Sequence, residues 1–358
     1  MSTKVDVQTS INNGEGLDWN ADIKLQSGLA ELRSPGIVVA LTGTSGFLGR
    51  KLLQKLVQAP QVKTIHCIAV RNLDSLVNIS SSSKIVAHAG DLSRPNLGLT
   101  SEAIRRVFCF TNVVIHNGAE VSFSKPYNNL RDANVGSTKE IVRLSLEHNH
   151  VTHIQFVSTS GLATVLSRDL YETPACSSPP DVPGGAQGYF LTKLACELYL
   201  ENVSTTTGLL VTIYRPTVIV GPDAPRLDVM HSVLHYSEKI SAVPQLTGIQ
   251  GTLQFVEVDR VAEDIVLDVT RDSTTHRSKV QYRSQYDENV EIQELGTFVG
   301  KRSGISSVPA VSVSEWVQKA EAAGLATEVA KFLGAVHLRE STKGEKLMLR
   351  RLWKGPPP

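Results

Sequence analysis

The sequence has little of what marks several protein classes. Only four of its 358 residues are cysteines, and Cys67, Cys109, Cys176 and Cys196 show no metal-ligand spacing, so we predict reduced thiols and no metal site. No apolar run is long enough to span a bilayer, and the opening residues MSTKVDVQTS have no signal-peptide core. The sequence therefore predicts a cytoplasmic protein that does not enter a membrane.

An excess of charge of either sign is also missing. The chain has 36 Lys and Arg residues against 35 Asp and Glu residues, which gives a net charge of +1. Such a balance provides no general attraction to nucleic acid or to an anionic membrane surface. The hydrophobic fraction of 41% is typical of globular proteins, and the length suffices for one large domain or two small ones.

A glycine-rich turn stands between an apolar strand and an amphipathic helix. Five apolar residues, Ile37 to Leu41, precede Thr42 and Gly43, and further glycines follow at positions 46 and 49. The first glycine permits a sharp turn, the second lets a pyrophosphate approach the backbone, and the third lets the helix pack closely on the strand. We therefore predict a dinucleotide site whose cofactor-binding residues are Gly43, Thr44, Ser45, Gly46, Phe47, Leu48 and Gly49.

The end of the next strand indicates which dinucleotide binds. The apolar segment 65–70 ends in Arg71, about 20 residues after the last glycine of the turn. NAD-binding proteins tend to place Asp or Glu here, whereas an arginine forms a fork that suits a 2′-phosphate. A surface arginine at a strand end is the alternative interpretation. We predict that the cofactor is NADPH and that Arg71 binds its phosphate.

Strand and helix patterns alternate through residues 36–225 and predict an NADP-binding α/β domain. Its expected fold is a doubly wound parallel Rossmann sheet with right-handed crossovers. The pattern then becomes mixed and predicts a smaller C-terminal substrate subdomain over 226–358, with segments at about 253–283 rejoining the Rossmann domain. Residues 1–35 are polar and aperiodic, as in a linker or strap, and the final KGPPP is expected to fray.

A tyrosine and a lysine begin a further predicted helix. Tyr189 and Lys193 are four residues apart and share a helix face, so both side chains can reach one point in space. A phenol is a poor acid–base catalyst at neutral pH unless a nearby ammonium favours its ionised form. Such pairs occur by chance in many helices. The pair gains weight from the hydroxyls of 158–160 and the small residues of 117–119, each set following a predicted strand.

Together these patterns resemble the extended short-chain dehydrogenase/reductase superfamily over about residues 36–270. In detail they resemble its thioester reductase branch, which includes the terminal reductase domains of nonribosomal peptide synthetases and of fungal polyketide–peptide hybrid synthetases. The matching stretches are TGTSGFLG (42–49), AVR (69–71), GDLSRPNLGL (90–99), IHNGAEVSF (115–123), ANVGST (133–138), FVSTSG (156–161), YFLTK (189–193) and YRPTVIVGP (214–222).

The resemblance implies a role for individual residues. Thr159, Tyr189 and Lys193 match the catalytic triad, with Ser158 and Ser160 as alternatives for its hydroxyl. The further cofactor-binding residues that the resemblance implies are Asp91 and Leu92 at the adenine, Asn117, Gly118 and Ala119 along the ribose and diphosphate, Pro216, Thr217 and Val218 at the nicotinamide, and Ser158.

Two further polar residues have open interpretations. Asn134, in a single long helix predicted over 129–148, either supports Lys193 through a water molecule or is structural. His116 is interpreted as a satisfied strand-end histidine rather than as a base.

The implied activity is NADPH-dependent reductive release of an acyl or peptidyl thioester from the phosphopantetheine arm of a carrier protein. The product is an aldehyde, or an alcohol after a second reduction. A redox-independent Dieckmann cyclase that releases a tetramic acid is the nearest alternative, but that subgroup commonly lacks the tyrosine that is present here as Tyr189. An NADP-dependent dehydrogenase or epimerase of a small molecule is a further alternative, which the GDL and LGL pattern of 90–99 disfavours.

The expected partner is an acyl or peptidyl carrier protein, and the chain itself is expected to be a monomer or part of a larger megasynthase. Carrier domains are usually acidic, so Arg226, Lys239 and Lys301 are candidate docking residues in the predicted substrate subdomain. The identity of the acyl chain does not follow from the sequence.

Overall fold

A computed structural model describes residues 36–76, 82–122, 125–148, 153–177, 188–225, 228–271, 280–343 and 346–357. The predicted linker over 1–35 lies outside the described residues. The strands, numbered along the chain, are β1 Ile37–Thr42, β2 Val62–Val70, β3 Ile85–Ala89, β4 Val113–His116, β5 His153–Val157, β6 Leu210–Pro216, β7 Val218–Val220, β8 Val243–Pro244, β9 Ile249–Glu257, β10 Val280–Gln285, β11 Glu288–Glu291, β12 Ala310–Val311 and β13 Leu347–Leu349.

The helices alternate with these strands through most of the chain. They are α1 Phe47–Gln58, α2 Ser101–Phe108, α3 Tyr127–Arg131, α4 Ser137–His148, α5 Leu162–Val165, α6 Gly188–Thr207, α7 Val229–Ile240, α8 Val258–Thr270, α9 Leu295–Arg302, α10 Val313–Ala322 and α11 Thr327–Lys343. Within the described residues, no helix combines the length and the apolar character that a membrane crossing requires.

Seven parallel strands form the central sheet, in the order β3-β2-β1-β4-β5-β6-β10. The chain moves outward from β1 to β3 and then returns to β4 on the other side. This places a crevice at the carboxyl ends of β1 and β4, where open α/β sheets bind ligands. The predicted α/β fold class, a doubly wound Rossmann sheet, is confirmed.

A hydrophobic core covers each face of this sheet. On one face, Phe108 of α2, Leu144 of α4 and Leu200 of α6 are buried against the strands. On the other face, α1 and α8 bury their apolar stripes, with Leu52 and Ile265 fully enclosed. Each such side chain contributes on the order of 1.5–3 kcal/mol. The α6 helix is buried along most of its length, so the polar side chains of Thr192, Lys193 and Glu197 point into the protein.

The prediction of a single helix over 129–148 is wrong in detail. A π turn, Asp132–Gly136, separates α3 from α4. The hydroxyl of Ser137 donates to the carbonyl of Ala133 at 2.7 Å, and that of Thr138 donates to the carbonyl of Asn134 at 2.8 Å. Hydroxyls that occupy backbone carbonyls in this way compete with the regular helical bonds, and a π bulge is one result.

A second sheet lies after β6. In it β9 pairs with β7, β11 and β13, and a separate core with Trp316 at its centre packs alongside. The Trp316 indole donates to the carbonyl of Ala242 at 3.0 Å and to the hydroxyl of Ser237 at 3.1 Å. After β9 the chain returns to the large sheet through α8 and β10. The boundary predicted between a Rossmann domain and a substrate subdomain stays an interpretation.

The final residues do not fray as expected. Leu352 bridges to Leu170, and the backbone N–H of Gly355 donates to the carboxylate of Glu172 at 3.0 Å. The expectation was wrong because a short apolar segment precedes the prolines: Leu352 is fully buried among other leucines.

Candidate active site

The glycine-rich turn is as tight as its spacing predicts. Gly43 has a φ of +70°, and a Cβ on it would lie 2.7 Å from the Cα of Gly118. A Cβ on Gly49 would lie 1.9 Å from the carbonyl oxygen of Gly43, so only glycine lets α1 approach β1 this closely. Gly46 precedes α1 and donates its N–H to the Gly43 carbonyl at 3.1 Å. The turn therefore brings the positive end of α1 to the crevice.

The other residues of this turn divide between core and surface. Thr44 and Leu48 are buried, Ser45 is exposed, and Phe47 is half-buried. The ring of Phe47 lies against the loop after β7, because a Cβ added to Gly221 in that loop would be 3.1 Å from the ring. A ligand at this turn would therefore meet mainly the backbone N–H groups of α1, which is the usual mode of diphosphate recognition.

A buried histidine joins the two central strands below the crevice. The hydroxyl of Thr42 accepts from the N–H of Gly118 at 2.8 Å and contacts Nδ1 of His116 at 2.9 Å. The other ring nitrogen, Nε2, lies 3.2 Å from the hydroxyls of Ser137 and Thr138. Burial, with a smaller contribution from Lys193, lowers the pKa of His116 to about 3. His116 is thus a neutral structural histidine, in line with its interpretation from the sequence.

The residues assigned to the adenosine half lie along the ends of β2 and β3. Arg71 is exposed directly after β2, and its charge helps to lower the pKa of Asp91, after the larger effect of two hydrogen bonds from Ser93.

The segment after β4 lies against these residues and against the glycine-rich turn. Leu92 reaches Gly118, where an added Cβ would lie 2.9 Å from a methyl group of Leu92. Asn117 donates to the Gly43 carbonyl at 3.3 Å, and Ala119 follows half-buried. Sequence-distant residues are thus brought together at one crevice.

The lysine of the predicted triad is buried at the end of β5. Its Nζ donates to the carbonyl of Val157 at 2.7 Å and lies 4.5 Å from the centre of the Phe156 ring. It is 5.8 Å from the centre of the Tyr189 ring. Burial lowers the pKa of Lys193 to about 8, so the ammonium is still the major form at physiological pH.

Tyr189 and Thr159 lie on two segments that pack tightly together. A Cβ on Gly161 would lie 2.2 Å from the ring of Phe190, so the 158–161 loop touches the first turn of α6. The hydroxyl of Thr159 accepts from the N–H of Gly161 at 3.1 Å. Burial raises the pKa of Tyr189, which differs from the lowering expected from Lys193. The side chain is therefore a neutral phenol and a hydrogen-bond donor.

The remaining predicted residues surround the ends of β5 and β6. Ser160 donates its N–H to the carbonyl of Pro216 at 3.0 Å, and the N–H and hydroxyl of Thr217 both donate to the carbonyl of Gln285 at 3.0 Å. Val218 is half-buried at the start of β7. The hydroxyl of Ser158 is buried and has no hydrogen-bond partner among the described residues. Such an orphaned group beside the crevice suits a ligand that supplies the missing partner.

Asn134 does not contact Lys193 in the described structure. Its side-chain oxygen accepts from the N–H of Glu120 at 2.7 Å, and its nitrogen donates to the carbonyl of Glu120 at 3.1 Å and to the hydroxyl of Thr192 at 3.0 Å. Asn134 therefore ties the segment after β4 to the first turn of α6, which favours the structural interpretation.

Sequence reasoning missed one group beside the triad, a buried ion pair between Arg215 and Glu197. A signal for it was present, because Tyr189, Lys193 and Glu197 repeat at intervals of four residues and Arg215 immediately precedes Pro216.

The sheet order, the glycine turn and the Tyr–Lys helix define a dinucleotide-binding enzyme of the short-chain dehydrogenase/reductase type. A model of an NAD-binding family described as "Male sterility protein" matches residues 41–265, and the chain belongs to this family. The prediction of membership in the thioester reductase branch of the extended superfamily is thereby confirmed.

Related proteins and structures agree with this assignment. A hybrid PKS-NRPS synthetase of Acremonium sp. is 44% identical over 96% of this chain, and a polyketide synthase-nonribosomal peptide synthetase of Aspergillus clavatus is 35% identical over 98%. The chain spans only 9% of the length of each. The terminal R domain from the myxalamid PKS-NRPS pathway shares the fold with a TM-score of 0.67 at 23% identity, covering 93% of this chain and 88% of that one.

Proposed function

We propose that the chain releases an acyl or peptidyl thioester from the phosphopantetheine arm of a carrier protein by NADPH-dependent reduction to an aldehyde. The observation that carries this proposal is the packing of Tyr189 and Lys193 on α6 against the Thr159 loop, beside the glycine-rich turn. This arrangement puts neutral hydrogen-bond donors next to a dinucleotide crevice. Support also comes from the similarity to PKS-NRPS synthetases and to a thiolation-reductase di-domain structure.

The residues of the crevice fit a nicotinamide dinucleotide. The Gly43 to Gly49 turn exposes helix N–H groups to a diphosphate, and the buried hydroxyl of Ser158 offers an unused polar group near the opposite end. NADPH, when bound, supplies the hydride, so the balanced reaction is R–CO–SR′ + NADPH + H⁺ → R–CHO + HS–R′ + NADP⁺.

The protein's own residues stabilise the charge that this reaction creates. Tyr189 and Thr159 donate hydrogen bonds to the thioester carbonyl oxygen as it becomes negative. The carbon–sulfur bond breaks when that oxygen re-forms its double bond, and the departing thiolate takes a proton from water. Lys193 would hold the ribose of the nicotinamide, and its ammonium, 5.8 Å from the centre of the Tyr189 ring, would add positive charge beside the phenol. Since burial keeps Tyr189 protonated, the phenol acts first as a donor.

The direct test is product analysis with a pantetheine thioester or a carrier-bound thioester. We expect an aldehyde, or an alcohol after a second turnover, together with one NADPH consumed for each reduction. An unreduced cyclic product formed equally well without cofactor would instead identify a Dieckmann cyclase. NADPH oxidation with small hydroxy compounds or sugar nucleotides, but not with thioesters, would identify a small-molecule dehydrogenase.

The preference for NADPH over NADH is proposed to rest on Arg71. A guanidinium fork forms two parallel hydrogen bonds with a 2′-phosphate, a group that NADPH has and NADH lacks. Arg71→Ala should therefore weaken NADPH binding far more than NADH binding. Arg105→Ala is the matched control, since Arg105 is an exposed arginine on α2. Titration calorimetry with both cofactors measures the effect. An equal loss of affinity for the two cofactors would remove Arg71 from the phosphate site.

The carrier protein is proposed to dock through positive charge. Of the candidates, Arg226 lies outside the described residues, Lys239 donates to the carbonyl of Ala323 at 2.6 Å, and Lys301 is exposed at the end of α9. Charge reversal at these positions should raise the KM for a carrier-bound thioester and leave that for free acyl-pantetheine unchanged. Turnover that is insensitive to both salt and charge reversal would contradict this docking mode.

A further inference from the structure

We propose that Arg215 is a positioning residue for the reduction: through Glu197 it fixes the face of α6 that carries Tyr189 and Lys193 against the ends of β5 and β6. Arg215 touches neither member of this pair in the described contacts, so it would act through the backbone and through Glu197. The inference rests on the proposed function, and it assigns a role to a buried charge that the reaction itself does not use.

The Arg215 guanidinium is fully enclosed and hydrogen-bonded on every side that the structure describes. Its Nε donates to Oε1 of Glu197 at 3.1 Å and its Nη2 donates to Oε2 at 2.7 Å, which makes a two-pronged fork. Neither side chain of the pair is exposed. The guanidinium also stacks on Tyr282, with 4.6 Å between its carbon and the ring centre. A buried fork of this kind specifies both distance and orientation.

Glu197 transmits this geometry to the triad. Tyr189, Lys193 and Glu197 follow one another at intervals of four residues, so they lie along one stripe of α6 with about 6 Å between successive positions. Lys193 anchors the stripe to β5 through the carbonyl of Val157, and Glu197 anchors it to β6 through Arg215. With two anchors on one rigid helix, neither a sliding nor a rotation of α6 is possible without breaking a buried contact.

The same guanidinium holds the loop between the two parts of the site. Its Nη1 donates to the carbonyls of Tyr171 and Thr173 at 2.8 and 2.9 Å. This segment follows Thr159 and α5 and precedes α6. Arg215 thus contacts the segment after Thr159, the helix that carries Tyr189 and, through its own backbone, the Pro216 carbonyl that receives the N–H of Ser160. Arg215 therefore connects the segment after Thr159, helix α6 and the end of β6.

Charge gives Arg215 an effect beyond packing. Burial lowers the pKa of Lys193 to about 8. Cys196 and the Glu197 carboxylate each act in the opposite direction and raise that pKa by a smaller amount. The ammonium of Lys193 in turn contributes to the lowered pKa of His116, and it lies 5.8 Å from the ring centre of Tyr189. Losing the two-pronged pair leaves the buried Glu197 carboxylate less well compensated, which raises the pKa of Lys193 further. A purely structural arginine would not change the titration of Lys193.

The test compares Arg215→Lys, which keeps the charge but loses the fork, with the matched control Arg283→Lys. Arg283 lies on the neighbouring β10 and pairs with the buried Asp268 at 3.3 Å, in contact with neither α6 nor the 158–161 loop among the described contacts. We expect kcat with an acyl-pantetheine thioester to fall by about 10²-fold in Arg215→Lys, with NADPH affinity within about threefold of the wild type. We expect Arg283→Lys to lower the melting temperature without this loss.

A second readout does not depend on the reaction. The pKa of Lys193, followed by NMR of the lysine side chains and assigned with Lys193→Met, should rise by about one unit in Arg215→Lys, where the two-pronged pair with Glu197 is lost, and stay unchanged in Arg283→Lys. Glu197→Asp, which shortens one arm of the fork, should repeat both effects if Arg215→Lys does not fold. Wild-type kcat and an unmoved Lys193 pKa would overturn the inference. If the wild type reduces no thioester, the proposed function fails, while the Lys193 titration still decides the positioning role.

Discussion

A single methyl group added at Gly49 would collide with the backbone of the glycine-rich turn. A Cβ there would lie 1.9 Å from the Gly43 carbonyl oxygen, which belongs to the backbone and cannot rotate away. We expect Gly49→Ala to push α1 away from β1, to weaken NADPH and NADH binding alike, and to lower the free energy of unfolding. Fluorescence titration of both cofactors and urea denaturation measure these effects.

Gly334→Ala is the control for this substitution. Gly334 is exposed within α11, and a Cβ there would meet nothing within 4 Å. Alanine is favoured over glycine in a helix by roughly 0.8–1 kcal/mol, so this variant should be as stable as the wild type or more stable. Wild-type cofactor affinity in Gly49→Ala would show that the close approach of α1 is not needed for binding.

At the residue scale, the sequence predicts those features that depend on local spacing. The close approach of Gly49 to Gly43 is of this kind, because the two residues are six positions apart, whereas the contact of Gly43 with Gly118 joins separate strands and does not follow from spacing. The Arg215–Glu197 pair is not, since it joins residues on separate elements whose alignment is known only after folding. The protonation of Tyr189 also depends on how deeply α6 is buried, which the Tyr-x-x-x-Lys spacing alone does not indicate.

At the element scale, α2 covers an acid-sensitive pair of histidines on β2 and β3. Nδ1 of His66 and Nε2 of His88 are 3.0 Å apart, and Arg106 of α2 adds positive charge nearby. Burial, His88 and Arg106 together lower the pKa of His66 from its ordinary 6.5 to about 4. Because the unfolded chain binds a proton on this ring below pH 6.5 and the folded protein does not, stability is lost as the pH falls from about 6.5 toward 4.

This linkage predicts a pH dependence that one substitution reduces. Between pH 7.5 and pH 5 the free energy of unfolding should fall by on the order of 1–2 kcal/mol through His66 alone. His66→Gln should flatten that fall in urea denaturation series. Identical slopes for His66→Gln and the wild type would mean that His66 is protonated in the folded protein.

Element boundaries followed from the sequence wherever an apolar period was unbroken. Strand β1 and helix α1 begin and end within a residue or two of the pattern, because β1 is an unbroken buried apolar run, α1 has one buried face, and glycines stand at the junction. The π turn after α3 did not follow, since its cause is the hydrogen bonding of hydroxyls to carbonyls rather than any break in the apolar stripe. The strands β7 and β13 are only three residues long and carry too little periodicity to be recognised.

At the scale of the whole molecule, the last described segment joins the two sheets. Strand β13 adds to β9 of the second sheet, and a few residues later Leu352 is buried among Leu162, Leu170 and Leu194, the last of which neighbours Lys193 on α6. Arg351 bonds to Thr252 of β9 at 2.7 Å between these two contacts. Unfolding of the second sheet should therefore disturb α6 as well.

A pair of core substitutions tests this connection. Leu352→Ala removes a fully buried side chain and should cost about 2–5 kcal/mol, whereas Met348→Ala, at a position that is 40% exposed, should cost much less. Denaturation followed both by Trp316 fluorescence and by NADPH binding measures the two regions together. We expect both signals to shift by the same amount in Leu352→Ala. A shift of the binding signal alone would show that the two sheets unfold independently.

The central claim is that Tyr189 supplies a hydrogen bond to the carbonyl oxygen during reduction, and Tyr189→Phe tests it most directly. The substitution keeps the ring and its packing beside Phe190 but removes the donor. Losing one preorganised donor typically costs about 10²–10³ in rate. The measurement is the mass of the product together with NADPH consumption on a carrier-bound thioester. We expect aldehyde from the wild type and a collapse of aldehyde formation in Tyr189→Phe, with folding and NADPH binding retained. Undiminished aldehyde formation by Tyr189→Phe, or cofactor-independent release of a cyclic product by the wild type, would contradict it.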